Sequence, residues 1–113
     1  MNLLTQTTDL CKGTDLAEII HQLQADARRA GIDLDLSGCR DAQDIRAKTE
    51  ASLRYLLQKQ PEAVLHLLYL ADIPESHARK WIAQYPEEEA AVLCYLLLKK
   101  TVEKIGWRKK FSG

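Results

Sequence analysis

The run AAVLCYLLL, Ala90 to Leu98, is nine consecutive apolar residues. Wound as a helix it is apolar on every side, and such a helix must be surrounded by other elements. It is too short to cross a bilayer, which takes about 20 residues. The chain must therefore build a protein core around this run. Glu87, Glu88 and Glu89 precede it, and Lys99, Lys100 and Lys104 follow. Acids at the start and bases at the end suit a helix dipole. The spacing predicts a helix over about 86–105, opened by Pro86 and closed by Gly106, with WRKKFSG as a tail.

The rest of the chain reads as helices able to supply that surround. Residues 2–11 predict a short first helix, with 1–13 as a frayed N-terminal segment. Asp15 and Glu18 form a D-x-x-E capping pattern. Behind it Leu16, Ile19, Ile20, Leu23, Ala27 and Ala30 fall on one helical stripe. Gly31 is a natural stop, because glycine enters the left-handed cap without strain. Ile32, Leu34 and Leu36 then alternate with aspartates, and no second strand is available to pair with them. They predict an extended connector laid on the helices. Asp41 caps a helix over about 42–59 with the stripe Ile45, Thr49, Ser52, Leu53, Leu56 and Leu57. Pro61 suits the first position of the next helix, 61–71, which is apolar nearly all round and predicts a second central element. Pro74 opens a fifth helix, 74–84, with the apolar face Ala78, Trp81 and Ile82, followed by Tyr85.

The chain length of 113 residues fits one domain, 1–113, whose core buries roughly two thirds of the unfolded surface. The expected fold is all-α: a compact bundle of five to six helices with no sheet. Acids and bases balance at sixteen each, so net charge selects no partner. The distribution is uneven. From residue 99 onward one acid, Glu103, faces Lys99, Lys100, Lys104, Arg108, Lys109 and Lys110, a local positive patch. Cys11, Cys39 and Cys94 are odd in number and widely spaced, without C-x-x-C. That excludes a disulfide framework and a structural zinc motif. The start, MNLLTQTTDL, has no secretory pattern. A reducing, cytoplasmic setting is expected, with no membrane partner.

Three constellations bear on function. Residues 33–44 follow a twelve-residue calcium loop, with Asp33, Asp35, Ser37, Asp41 and Asp44 in the side-chain ligand slots and Gly38 at the turn. The loop departs from the pattern at Arg40, where an apolar residue is usual, and at Asp44, where a bidentate Glu is usual. The plainer reading is a connector whose Asp41 caps a helix. Residues 67–85, LLYLADIPESHARKWIAQY, read as a helix-turn-helix. Its second helix would offer Ser76, His77, Arg79, Lys80 and Gln84 to a groove of DNA, helped by the basic tail 106–113. Asp72 in the turn and Glu75 at the groove end weigh against it. In the tail, Trp107 and Phe111 alternate with Arg108, Lys109 and Lys110. These residues can stack on bases or grip an acidic partner; the simpler expectation is that the aromatics fold back on the bundle.

Catalysis has little support. His21, His66 and His77 are far apart, and His66 sits in the most apolar helix as a core or interface histidine. Cys94 should act as a small hydrophobe. No phosphate loop, dinucleotide fingerprint, H-E-x-x-H or G-x-S-x-G occurs. LYLADIPE followed by AAVLCYLLLKKTVEKIGWRKKFSG, over about 65–113, resembles the C-terminal half of small all-helical proteins of unassigned role in bacteria of the Bacteroidetes type. The resemblance implies a small cytoplasmic bacterial protein and supplies no activity, cofactor or site residue.

The sequence thus predicts a non-enzymatic interaction or adaptor module, without a cofactor, that binds another protein or itself as a homo-oligomer. The expected binding face combines Arg79, Lys80, Lys99, Lys100, Lys104, Arg108, Lys109 and Lys110. The runner-up is a helix-turn-helix nucleic-acid binder, and the third reading is a calcium module at 33–44.

Overall fold

The computed structural model describes residues 2–112, which form six helices with no strand among them. They are α1 Leu3–Asp9, α2 Leu16–Arg29, α3 Ala42–Lys59, α4 Pro61–Leu70, α5 Glu75–Gln84 and α6 Glu89–Ser112. The longest, α6, is the axis. It packs on α1, α2, α3 and α5, while α4 lies against α2, α3 and α5. Val92, Cys94 and Leu98 on α6 are fully buried, with Leu93, Leu96 and Leu97 nearly so. At ~2 kcal/mol for each large apolar side chain removed from water, this run contributes more cohesion than any other single segment.

The caps follow from their side chains. Asp15 accepts the Ala17 N–H at 2.8 Å and starts α2. Gly31, at φ +78°, ends it. There Ile32 N–H bonds the Ala27 carbonyl and Gly31 N–H the Arg28 carbonyl, the paired Schellman bonds that need a left-handed residue. The same pair closes α4, where Ile73 N–H bonds Leu68 O and Asp72 N–H bonds Tyr69 O. Asp72 fills the left-handed position there, at φ +63°. Asp41 accepts Asp44 N–H at 2.8 Å to open α3. Between α2 and α3 the connector lays Ile32 and Leu36 into the core and half buries Leu34. Leu36 N–H donates to Gln24 Oε1 at 2.7 Å, which pins the connector to α2.

Four expectations need correction. The fourth helix is not central: Val64, Leu67 and Leu68 are buried, but Leu65, His66 and Tyr69 face water. His66 is therefore no core residue. The first helix is docked rather than loose, with Leu3 and Thr7 buried at its inner side and Cys11 buried just past its end. The last helix starts three residues later than expected, because Glu87 takes φ +70° and leaves Tyr85–Glu88 as a turn. It also runs straight through Gly106 to Ser112. A helical glycine costs about 1 kcal/mol against alanine. Beyond it, Trp107 and Phe111 stack one turn apart with ring centroids 5.0 Å apart. Lys109 reaches Glu18 of α2 at 3.1 Å. Those contacts offset the glycine and hold the end helical, so residues 107–111 are no trailing tail.

One buried ion pair ties three elements. Asp26 of α2 has a side chain only 6% exposed and accepts from Lys104 of α6 at 3.2 Å and from Gln22 at 3.0 Å. The same ammonium approaches the Leu70 carbonyl at the end of α4 at 3.5 Å. Removing one partner of a buried pair leaves a charge without compensation. Lys104→Met should therefore cost ~2–4 kcal/mol in urea unfolding. Asp26→Asn should cost less, since Lys104 is 32% exposed and turns to water more cheaply. Equal losses in the two variants would contradict this ordering.

Candidate functional site

Leu65 and Tyr69 on α4 are 50% and 79% exposed, a large apolar display for a small bundle. Beside Leu65 lies a groove of about 470 Å³. Its walls come from four helices: Leu57 at the end of α3, Val64, Leu65 and Leu68 on α4, Ala78 and Ile82 on α5, and Leu93 on α6. The geometry follows from the turn at Asp72. It sets α5 beside α4, and α5 turns Ala78 and Trp81 inward against α6, where Trp81 packs on Tyr95 at 5.1 Å between ring centroids. The short side chains Ala78 and Ala83 leave the channel open between the two helices. Glu75 and Glu89 line the groove at its polar margin, together with Arg79. Arg79 is held by Glu75 at 2.6 Å, and that carboxylate raises its already high pKa. A neighbouring trough shares Leu57 and Glu89 with the groove and adds Glu87 and Glu88. The surface is thus an apolar channel edged by the Glu75–Arg79 ion pair and by Glu89, with Glu87 and Glu88 beyond it.

The bases expected to form one binding face are divided. Arg79 and Lys80 sit on α5, and the other six sit along α6. Three are spent in ion pairs: Arg79 with Glu75, Lys104 with Asp26 and Lys109 with Glu18. Lys110 lies over the Trp107 ring, 5.7 Å from its centroid. Lys99, Arg108 and Lys80 are exposed and Lys100 half-exposed. Ser76, His77 and Gln84 of α5 are exposed as the helix-turn-helix reading expected. Trp107 and Phe111 do not fold back: they are 57% and 71% exposed.

The aspartates of 33–44 are not gathered on a common point. Asp35 accepts both Ser37 N–H and Ser37 Oγ–H, at 3.0 and 2.6 Å, and the hydroxyl bond holds its pKa below the usual carboxylate value. Asp41 is the cap of α3, Asp44 accepts Arg40 N–H, and Asp33 faces water. Each carboxylate that bonds is engaged in its own local turn. Among the described residues no group of three or more His, Cys, Asp or Glu is placed to hold a metal ion. Nor is any helix there long and apolar enough to cross a membrane.

Two other depressions offer less to a ligand. One of about 420 Å³ between α1 and α3 contains Arg46 and Glu50. Arg46 is bound to Glu50 at 2.7 Å, and Glu50 also takes Arg54. A small void of about 10 Å³, the size of one water, lies among mostly apolar side chains with Asp26, Thr49 and Thr101 at its wall. Sequence reasoning missed the groove. Its one available signal was the pairing of Leu65 with Tyr69 at i, i+4 beside His66, which marks a wet edge on an otherwise apolar helix.

Compared with protein-family models, with curated proteins and with solved structures, the chain matches none of them.

The three thiols are not activated. Burial pushes Cys11 and Cys39 up, and pushes Cys94 up to about 12. Cys94 sits on α6 with its Sγ–H toward the Arg46 carbonyl at 3.7 Å. The folded state therefore keeps a proton that the unfolded chain gives up near pH 9, so stability is full below pH 9 and falls as pH rises toward 12. The slope for one such group is about 1.4 kcal/mol per pH unit. Unfolding free energies between pH 8 and 11 should fall more steeply for the native chain than for Cys94→Ala. Parallel curves would refute the burial of this thiol.

Proposed function

We propose that this chain is a non-enzymatic interaction module whose working surface is the α4–α5 groove. A single observation carries the reading: an open apolar channel of about 470 Å³ with Glu89 and the Glu75–Arg79 pair at its margin, Glu87 and Glu88 beside it, and Leu65 exposed on its lip. A channel of that kind suits an amphipathic helix that lays one apolar face into it. The acids select for bases beside that face and speed the encounter. The partner class is a protein segment with apolar anchors one turn apart and lysine or arginine around them.

The nucleic-acid reading draws support from the exposed face of α5 and from the C-terminal bases. Against it stand Glu75 on the first turn of α5 and the three ion pairs that already engage Arg79, Lys104 and Lys109. A labelled random duplex should give no anisotropy change at low salt. A rise that weakens steeply with salt would put nucleic acid first, because salt-dependent binding reports phosphate neutralisation.

The groove itself is tested with a designed lysine-rich helical peptide bearing Trp and Leu four residues apart. In a titration followed by backbone amide shifts, residues around Leu65, Ala83 and Glu89 should move. Leu65→Arg should weaken binding at least tenfold, and so should a peptide with glutamate in place of lysine at low salt. A titration that leaves those amides unmoved removes the reading.

A further inference from the structure

We infer that the segment fitting the α4–α5 groove is the C-terminal end of α6 from a second copy of this chain, so that two copies bind reciprocally. The inference rests on the groove reading above and names its occupant.

The first ground is chemical complementarity. The groove is apolar with Glu89 and the Glu75–Arg79 ion pair at its margin, and Glu87 and Glu88 next to it. The end of α6 offers the reverse: two large aromatics, Trp107 and Phe111, exposed and stacked one turn apart, flanked by Arg108 and Lys110. Stacked rings in water with bases around them are the anchor pattern that an acid-edged apolar channel admits. The two surfaces belong to one chain but cannot meet within it. Glu89 and Leu93 line the groove at the start of α6, and the helix is continuous from there to Ser112. At 1.5 Å per residue, Trp107 lies about 27 Å along the axis from Glu89, and Phe111 the same distance from Leu93. A straight helix cannot bring its end back to its own beginning, so the contact must be between copies.

The second ground is the phase of the helix. The steps from Glu89 to Trp107 and from Leu93 to Phe111 are both eighteen residues, which is five full turns at 3.6 residues per turn. The aromatic pair therefore points to the same side of α6 as the groove-lining residues. Lys109 points elsewhere, to Glu18 of α2. With site and anchor on one face at opposite ends, a two-fold axis perpendicular to α6 makes both contacts at once. The result is a closed pair rather than an open chain of copies. On α4, Tyr69 stands one turn beyond Leu65, next to Leu70, whose carbonyl meets Lys104. This exposed ring extends the apolar surface from the groove toward the aromatic end, along the path the partner would cover.

The test uses two full-length variants altered only at exposed positions. Leu65→Arg closes the groove and keeps the aromatic end. The double change Trp107→Ser with Phe111→Ser removes the anchor and keeps the groove. Circular dichroism confirms that each remains folded. By sedimentation velocity the native chain should be a dimer that weakens several-fold as salt rises. Each variant alone should be a monomer. An equimolar mixture should form a one-to-one heterodimer, because one intact groove then meets one intact end. Three results would overturn the inference: a native chain that stays monomeric at several hundred micromolar, a dimer that either variant leaves intact, or a mixture that fails to associate. The designed peptide, titrated into the Trp107→Ser, Phe111→Ser chain, reads the groove separately. Peptide binding with a monomeric native chain rejects the self-pairing and keeps the groove, whereas absence of peptide binding rejects the groove itself.

Discussion

Everything in this fold depends on enclosing one stretch of helix that has no wet side. Between Ala90 and Leu98 only Ala91 and Tyr95 keep even partial access to solvent. A run with that character cannot lie on a surface, so helices α1, α2, α3 and α5 close around it. The arrangement of the remaining parts is a consequence. The connector at 32–36 is drawn onto the bundle because Ile32 and Leu36 bury almost all of their surface there. The short first helix is held because Leu3, Thr7 and Cys11 complete the same core. The Asp26–Lys104 pair contributes differently. It adds little net cohesion, since both charges lose water, but it fixes the relative setting of α2 and α6 near the point where α4 ends.

Enclosing α6 so thoroughly leaves α4 with a conflict. Residue for residue it is more apolar than α6 taken whole, yet the positions around the axis are taken by other helices. It settles as an outer helix, its inner side buried and Leu65 and Tyr69 left in water. Exposed apolar surface of this kind commonly marks a contact. The groove exists because α5 approaches α4 with Ala78 and Ala83 rather than larger side chains. The functional surface is thus a by-product of how the core is filled, placed where the bundle runs short of covering helices.

The sequence made some of this legible and hid the rest for identifiable reasons. Helix existence was readable wherever a cap and a stripe coincided, as at Asp15 with Ile19 and Leu23, or at Asp41 with Ile45 and Leu53. Those signals are local, and the caps form as hydrogen bonds within three residues. The placement of α4 was not readable, because an all-apolar pattern says that a helix prefers burial and not whether room remains. The end of α6 was misjudged for a related reason. Gly106 is a stop signal by propensity, but the Trp107–Phe111 stack and the Lys109–Glu18 pair lie beyond it, and the second of these joins residues far apart in the chain. The aspartates of 33–44 failed in the opposite direction. Their spacing fits a calcium loop, but spacing cannot show that Ser37, Arg40 and Asp44 already occupy the carboxylates of Asp35, Asp44 and Asp41.

The division of charge along the chain follows the same logic. Helix dipoles favour acids at the start of α6 and bases at its end, and the sequence supplies Glu87 to Glu89 at one and Arg108 to Lys110 at the other. In most helices this polarity is a small local stabilisation. In α6 the acidic start borders an apolar groove, and the basic end carries two exposed rings. Continuity of the helix through Gly106 then matters beyond stability. It keeps the two ends on one face and about 27 Å apart, so the charge pattern that suits the helix dipole also makes its ends complementary. A change that broke the helix at residue 106 would remove that registration, which places the decisive structural feature of the proposed pairing at a glycine with open space where a side chain would stand.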